Sequence, residues 1–205
     1  LTGLPPEPQE LRNFAADARP DALSRQADRL VASPTYAERW GRFWLDQARY
    51  GDTEGFDIDQ PRPHAWRYRT WVIESLNRDL PYDRFSRAQL AGDLDATEPD
   101  SIVATGFYVQ TPRNTEAGAD REEDRVRRGF DRIETIADIW LGVGLRCARC
   151  HDHPGQPFTQ RDYYGWFALV RNLDDRLRTA PTERVLDDYA RAAPSFEERR
   201  AKLMS

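Results

Sequence analysis

The sequence is nearly without lysine: Lys202 stands alone, and the other basic residues are arginines. Methionine occurs once, as Met204, histidine three times and cysteine twice. No apolar run approaches the ~18 residues of a membrane span, which excludes a helical integral membrane protein. Alternating strand patterns are scarce, and neither an internal repeat nor a low-complexity tract is present. Positive charge is not in excess: the formal net charge is −5, which argues against a general nucleic-acid binder. What is there in quantity is aromatic. Six Trp, nine Phe and eight Tyr in 205 residues can build a core, so wholesale disorder is excluded. The length suits one domain with at most a small appendage.

The two cysteines fall together. Cys147-Ala-Arg-Cys150-His151 is a C-x-x-C-H string, which chance placement in this composition produces roughly once in 7,000 sequences. The leading reading is covalent attachment of c-type haem. Each thiol adds across one haem vinyl group, and the imidazole that follows becomes the proximal iron ligand. Three alternatives stay open. A local disulfide explains the cysteines but leaves His151 without a task. A thioredoxin-like pair expects a βαβ context that is not visible. A zinc site needs four ligands, which Cys147, Cys150, His151 or His153, and His64 would have to supply without a second C-x-x-C. Haem attachment implies an exported location. No signal-peptide pattern opens the chain at Leu1-Thr-Gly-Leu-Pro-Pro, so a mature chain or a piece of a longer protein is expected.

Helical periodicity covers most of the rest and predicts an all-α, irregular helical domain around the haem. Helices are expected over 10–18 and from 21 onward, the latter with Leu23, Ala27, Leu30 and Val31 on one face. Another is expected over 35–50, where Tyr36, Trp40, Phe43, Trp44 and Gln47 form a stripe read as core. Residues 51–63 read as a solvated acidic loop rather than half a calcium site. A helix follows to Asp79, with Ala65, Tyr68, Val72 and Leu76 facing one way. Asp83 is expected to cap the next, which ends at Gly92. An acidic loop over 93–101, a turn or two over 102–107 and a polar loop over 111–120 come next. The longest helix is expected over 121–141, through Val126, Phe130, Ile133, Ala137 and Trp140. It delivers the chain to Gly142 and Gly144, where a flat macrocycle could approach the backbone. Helices over 159–172 and 182–204 complete the list.

Several stretches resemble a known family. They are Arg39-Trp-Gly-Arg-Phe-Trp-Leu-Asp-Gln-Ala-Arg-Tyr, Arg62-Pro-His-Ala-Trp-Arg-Tyr-Arg-Thr-Trp-Val-Ile, Gln89-Leu-Ala-Gly-Asp-Leu, Trp140-Leu-Gly, Cys147-Ala-Arg-Cys-His-Asp-His and Asp162-Tyr-Tyr. In order and content they resemble the second planctomycete cytochrome-like domain, found in large exported proteins. The resemblance covers roughly residues 1–175, leaving 176–205 as a C-terminal helical extension. It implies a cytochrome-like domain of poorly defined activity, usually beside a small cytochrome domain and a further uncharacterised one. This chain departs from the family pattern at His64, commonly Asn, and at Pro154, commonly Lys.

A haem here would take His151 as its proximal ligand and leave the sixth position open. Met204 lies too near the terminus to serve, and His153 is expected to bond a propionate, a carboxylate or the backbone. His64 is the distal histidine by inventory, though it could equally cap the helix it starts. Tyr50, Tyr108, Arg113, Asn114 and Glu116 are loop candidates for a polar distal side. Arg67, Arg69, Arg146 and Arg149 are candidates for the propionates, since guanidinium pairs with carboxylate bidentately. Arg67 and Arg146 are preferred, and Arg149 is expected to point to solvent. The function read from this is a single-electron carrier domain in an exported complex or multidomain protein, working with a redox partner. The alternatives are a haem oxidoreductase with an open distal site and a zinc- or disulfide-held interaction module.

Overall fold

The computed structural model describes residues 1–94, 100–173 and 183–204. Among them the only extended pairing is an isolated bridge between Thr53 and Pro61, so the fold is all-α. The helices are α1 (Pro8–Ala16), α2 (Ala22–Val31), α3 (Pro34–Gln47), α4 (Ala65–Asn77), α5 (Tyr82–Ala91), α6 (Ser101–Ala104), α7 (Arg121–Ile136), α8 (Gln160–Arg171) and α9 (Glu183–Met204). Two 3₁₀ turns, Thr105–Val109 and Leu145–Arg149, link them. Residues 95–99 of the expected acidic loop, and Thr182 with its neighbours 174–181, lie outside the described residues.

Two apolar clusters share the interior. The first joins Leu45 and Ala48 to Tyr68, Trp71 and Val72 of α4, Phe85 of α5, and Ala104 and Phe107. α3 and α4 approach closely because α3 presents Ala37 and Gly41 there. A Cβ built on Gly41 would stand 3.2 Å from Ile73 Cγ1. Trp71 stacks on Phe85 at 5.2 Å, and Trp44 meets Phe85 edge-on at 4.7 Å. One amide serves two donors: Gln89 Oε1 accepts from Trp44 Nε1 (2.8 Å) and the Tyr68 hydroxyl (2.7 Å). Buried donors that find partners in this way cost little.

This corrects the expected α3 stripe. Only Trp44 of the aromatics packs inward, while Trp40, Phe43 and Gln47 are exposed. The small residues one position round the helix win the core face because they permit a closer helix–helix approach. Leu23 and Val31 of α2 are likewise exposed, and no residue of α1 or α2 is buried. Asp83 lies inside the first turn of α5, whose N-cap position is Pro81.

The second cluster carries Ile133 and Ala137 from the α7 stretch, Tyr163 and Val170 from α8, and Leu145 and Ala148 from the second 3₁₀ turn. Asp120 caps α7, accepting from the backbone N–H of Glu122 (2.8 Å) and Glu123 (3.0 Å). The expected helix over 121–141 is present, but its last turn, Ala137–Leu141, widens to π geometry. It ends at Gly142 with φ +63°, a left-handed position that glycine takes without a Cβ clash.

Candidate functional site

The C-x-x-C-H string lies on the turn Leu145–Arg149 and the residues just after it. In a 3₁₀ turn, side chains three apart eclipse one another. That rule sorts the string into faces. Leu145 and Ala148, three apart, are buried at 1% and 0% exposure. Cys147 and Cys150, three apart, are free thiols and both exposed. The N–H of Cys150 donates to the carbonyl of Cys147 at 3.4 Å, closing the turn. The cysteines are not joined to each other, so the local disulfide reading has no bond here.

The two residues between the thiols point into the protein. Ala148 is core, and the Arg149 guanidinium reaches α7 and α8. It donates through Nη2 to Glu134 and through Nε to the Tyr163 hydroxyl (3.3 Å), and lies 4.6 Å over the Phe130 ring. The Tyr163 hydroxyl in turn donates to Glu134 Oε1 at 2.9 Å. Burial disfavours charge on Arg149, but the hydrogen bonds it donates to Glu134 and Tyr163 outweigh this and raise its affinity for the proton. Burial, with the Glu134 carboxylate behind it, pushes the Tyr163 phenol well above its ordinary range against the pull of Arg149. Arg149 therefore does not point to solvent, as the sequence alone suggested. The reason is Glu134, a carboxylate at 9% exposure that needs a countercharge.

Further bonds fix the turn to the start of α8. The Arg149 carbonyl accepts from Gln160 Nε2 (3.1 Å) and the Tyr164 hydroxyl (3.2 Å). Asp152 Oδ1 accepts from the Gln160 N–H (2.8 Å), and the His153 N–H donates to the Phe158 carbonyl (2.8 Å). Thr159 and Asp162 form a capping box on α8, whose bonds with Thr159 hold the Asp162 carboxyl below the usual range.

The two histidines of the segment take opposite tautomers. His151 Nδ1 lies 2.7 Å from the Asp152 carbonyl, an acceptor only, so Nδ1 carries the proton and Nε2 keeps its lone pair. Iron-ligating imidazoles use this arrangement, with the far nitrogen donating to a carbonyl. His153 Nδ1 instead accepts from the Gly155 N–H at 3.1 Å, so it bonds the backbone. Cβ atoms built on Gly142, Gly144 and Gly155 would meet nothing within 4 Å, so the backbone flanking the string borders open space. Two exposed thiols and an adjacent imidazole are the donor set that a c-type haem would use. Among the described residues no group of three or more His, Cys, Asp or Glu side chains is arranged to hold a metal ion. The zinc alternative thus finds no preformed ligand set.

Of the other expected residues, Arg146 stands exposed on the same turn. His64 and Arg67 belong to α4. His64 is exposed at the N-cap position of α4 without a side-chain cap bond, and Arg67 is half-buried one turn on. α4 packs on α3, α6 and the turn Thr105–Val109, whereas the cysteine turn packs on α7 and α8. Arg69 lies 3.7 Å from Asp52, and the Tyr50 hydroxyl bonds Asp52 at 2.5 Å. Burial and Asp52 raise that phenol to about 12. The Tyr108 hydroxyl donates to the Leu90 carbonyl. Asn114 bonds through its N–H to Asp124, in the first turn of α7, about 15 Å along the helix from Glu134 at 1.5 Å per residue. Asn114 also lines a polar cavity of about 240 Å³ with Gly118, Asp120, Glu123, Asp124 and Arg127.

Sequence reasoning missed Glu134, Tyr163 as an anchor, and Gln160. Glu134 carried a signal. It lies four after Phe130 and three before Ala137, on the apolar face of α7, and a carboxylate there demands a cation.

No curated protein and no solved structure matches the chain. The sequence model of PSCyt2, described as a protein of unknown function (DUF1549), matches residues 1–175. That stretch holds both apolar clusters, the cysteine turn and its anchors on α7 and α8. The chain therefore belongs to the PSCyt2 family, a planctomycete cytochrome-like domain family of unknown function.

Proposed function

We propose that this chain is a c-type cytochrome domain that passes single electrons. One observation carries the reading: two free thiols three positions apart stand exposed at a 3₁₀ turn and its C-cap, and the imidazole after them bonds the Asp152 carbonyl through Nδ1, leaving Nε2 available. Cys147 and Cys150 would each hold the haem through a thioether, the sulfur and the thiol hydrogen both adding to one vinyl group so that no atom leaves. His151 offers Nε2 to the iron, held in that tautomer by the Asp152 carbonyl. Arg146, exposed on the same turn, offers a guanidinium to a propionate. Haem, when bound, supplies a one-electron iron couple. Attachment of this kind belongs outside the cytoplasm, so the reading includes an exported location. The net charge of −5 favours a redox partner with a basic face.

The test is production with c-type maturation machinery, then a haem-stained gel and spectra of both oxidation states. A Soret band that stays with the protein through acid–acetone extraction is expected. Its absence would overturn the reading.

A second reading, an oxidoreductase with an open sixth position, draws on the remaining histidines. His153 has Nδ1 engaged by Gly155, and His64 stands on α4. High-spin ferric spectra and rapid carbon monoxide binding by the ferrous form would select it; low-spin spectra unmoved by carbon monoxide would reject it.

A further inference from the structure

We infer that Arg149, Glu134 and Tyr163 are positioning residues that preset the two thiols for capture of a bidentate group. The inference rests on the haem reading for its biological meaning but not for its geometry. In the sequence the two residues between the cysteines are spacers. In the structure both are anchors, so the four positions run outward, inward, inward, outward. Leu145 and Ala148 seat the turn on the cluster through non-directional apolar contacts. The Arg149 guanidinium adds direction by holding two elements at once: Glu134 on α7 and Tyr163 on α8. The Phe130 ring closes the third side at 4.6 Å. The Glu134 side chain is only 12% exposed, so its carboxylate has little water to fall back on if Arg149 leaves. The Arg149 carbonyl, bonded to Gln160 and Tyr164, fixes the backbone of the same residue. A residue held at both its side chain and its carbonyl sets the direction of the thiols that flank it.

The test uses the full chain, made without haem and kept reduced. Phenylarsine oxide is the probe. Its arsenic(III) closes a ring with two sulfurs and releases water, which requires both thiols on one face. The native chain is expected to bind one equivalent, and Cys147→Ser to lose the bidentate complex. Arg149→Gln and Glu134→Gln are each expected to weaken capture at least tenfold while circular dichroism reports retained helix. The double variant, which restores a neutral amide pair, should recover part of that loss. If Arg149→Gln does not fold, Tyr163→Phe decides, since it keeps the ring and removes only the hydroxyl; a two- to threefold weakening is expected. Folded variants that capture arsenic as tightly as the native chain overturn the inference. The same variants go through the haem-attachment assay. Arsenic capture that depends on Arg149 in a chain that never takes up haem upholds the clamp and rejects the haem reading. Normal haem loading with unchanged arsenic capture in the variants does the reverse.

Discussion

Three glycines on α3, α7 and α8 give a graded test of how tightly the helices pack. Replacing a helical glycine with alanine gains about 1 kcal/mol from the backbone. What differs among the three sites is the space for one methyl group. At Gly165 on α8 a Cβ meets nothing within 4 Å, so Gly165→Ala keeps the whole gain. At Gly41 the Cβ would stand 3.2 Å from Ile73 Cγ1, and α4 must give by a few tenths of an ångström. That relaxation offsets most of the gain, leaving stability within about 0.5 kcal/mol of the native chain. At Gly129 the Cβ would lie 2.5 Å from Phe167 Cε2, on a ring that also packs against Phe130 at 4.8 Å. The ring cannot swing away without pressing on Phe130, the same ring that lies under Arg149. Overpacking of this kind costs about 1–3 kcal/mol, so Gly129→Ala should lose about 1 kcal/mol net. Near 2–4 °C per kcal/mol, the melting temperatures should fall in the order Gly165→Ala, native, Gly129→Ala, with Gly41→Ala beside the native chain. Thermal melts of the four proteins measure this directly. A Gly129→Ala protein as stable as Gly165→Ala would refute the packing of α7 on α8.

Leu145→Ala removes the buried apolar anchor of the cysteine turn and should cost about 2–5 kcal/mol in urea titration. His151→Ala, at an exposed position, should leave the stability of the haem-free chain within about 0.5 kcal/mol while changing the spectrum of haem-loaded material. Asp124 accepts from the Asn114 N–H and from Arg127 and Arg128, and these bonds outweigh its burial and lower its affinity for the proton. A carboxyl lowered on folding adds stability that is present above its unfolded value of about 3.9 and lost as pH falls through the folded one. Melts from pH 6 to pH 2 should therefore show a loss that Asp124→Asn shares only in part, and the variant should be about 1–3 kcal/mol weaker at pH 6.

The helices were legible because their apolar spacing and breakers are local. Pro34 opens α3, Pro81 precedes α5, and the Ile133–Ala137 register marks the buried side of α7. The cysteine string was legible because its rarity is a property of sequence alone. What could not be read is what depends on a partner distant in the chain. Trp40 and Phe43 looked like core until Ala37 and Gly41 were seen against α4. Arg149 looked like a surface cation until Glu134, fifteen residues earlier, supplied its counterion. His64 starts α4, whose buried hydrophobic residues belong to the first cluster, a placement that counting histidines does not supply.

The widened coil at Ala137–Leu141 has a geometric corollary. It accommodates one residue more than ordinary helical pitch would. Were a single residue deleted there, the one wide turn would become one ordinary α turn, and the chain beyond Gly142 would leave the α7 axis on nearly the same bearing. Both sulfurs would then keep their bearing, with Glu134 and Tyr163 still beside Arg149. That stretch can therefore lose a residue without turning the protein's reactive edge, whereas a deletion in the regular part of α7 would swing the edge by about 100°.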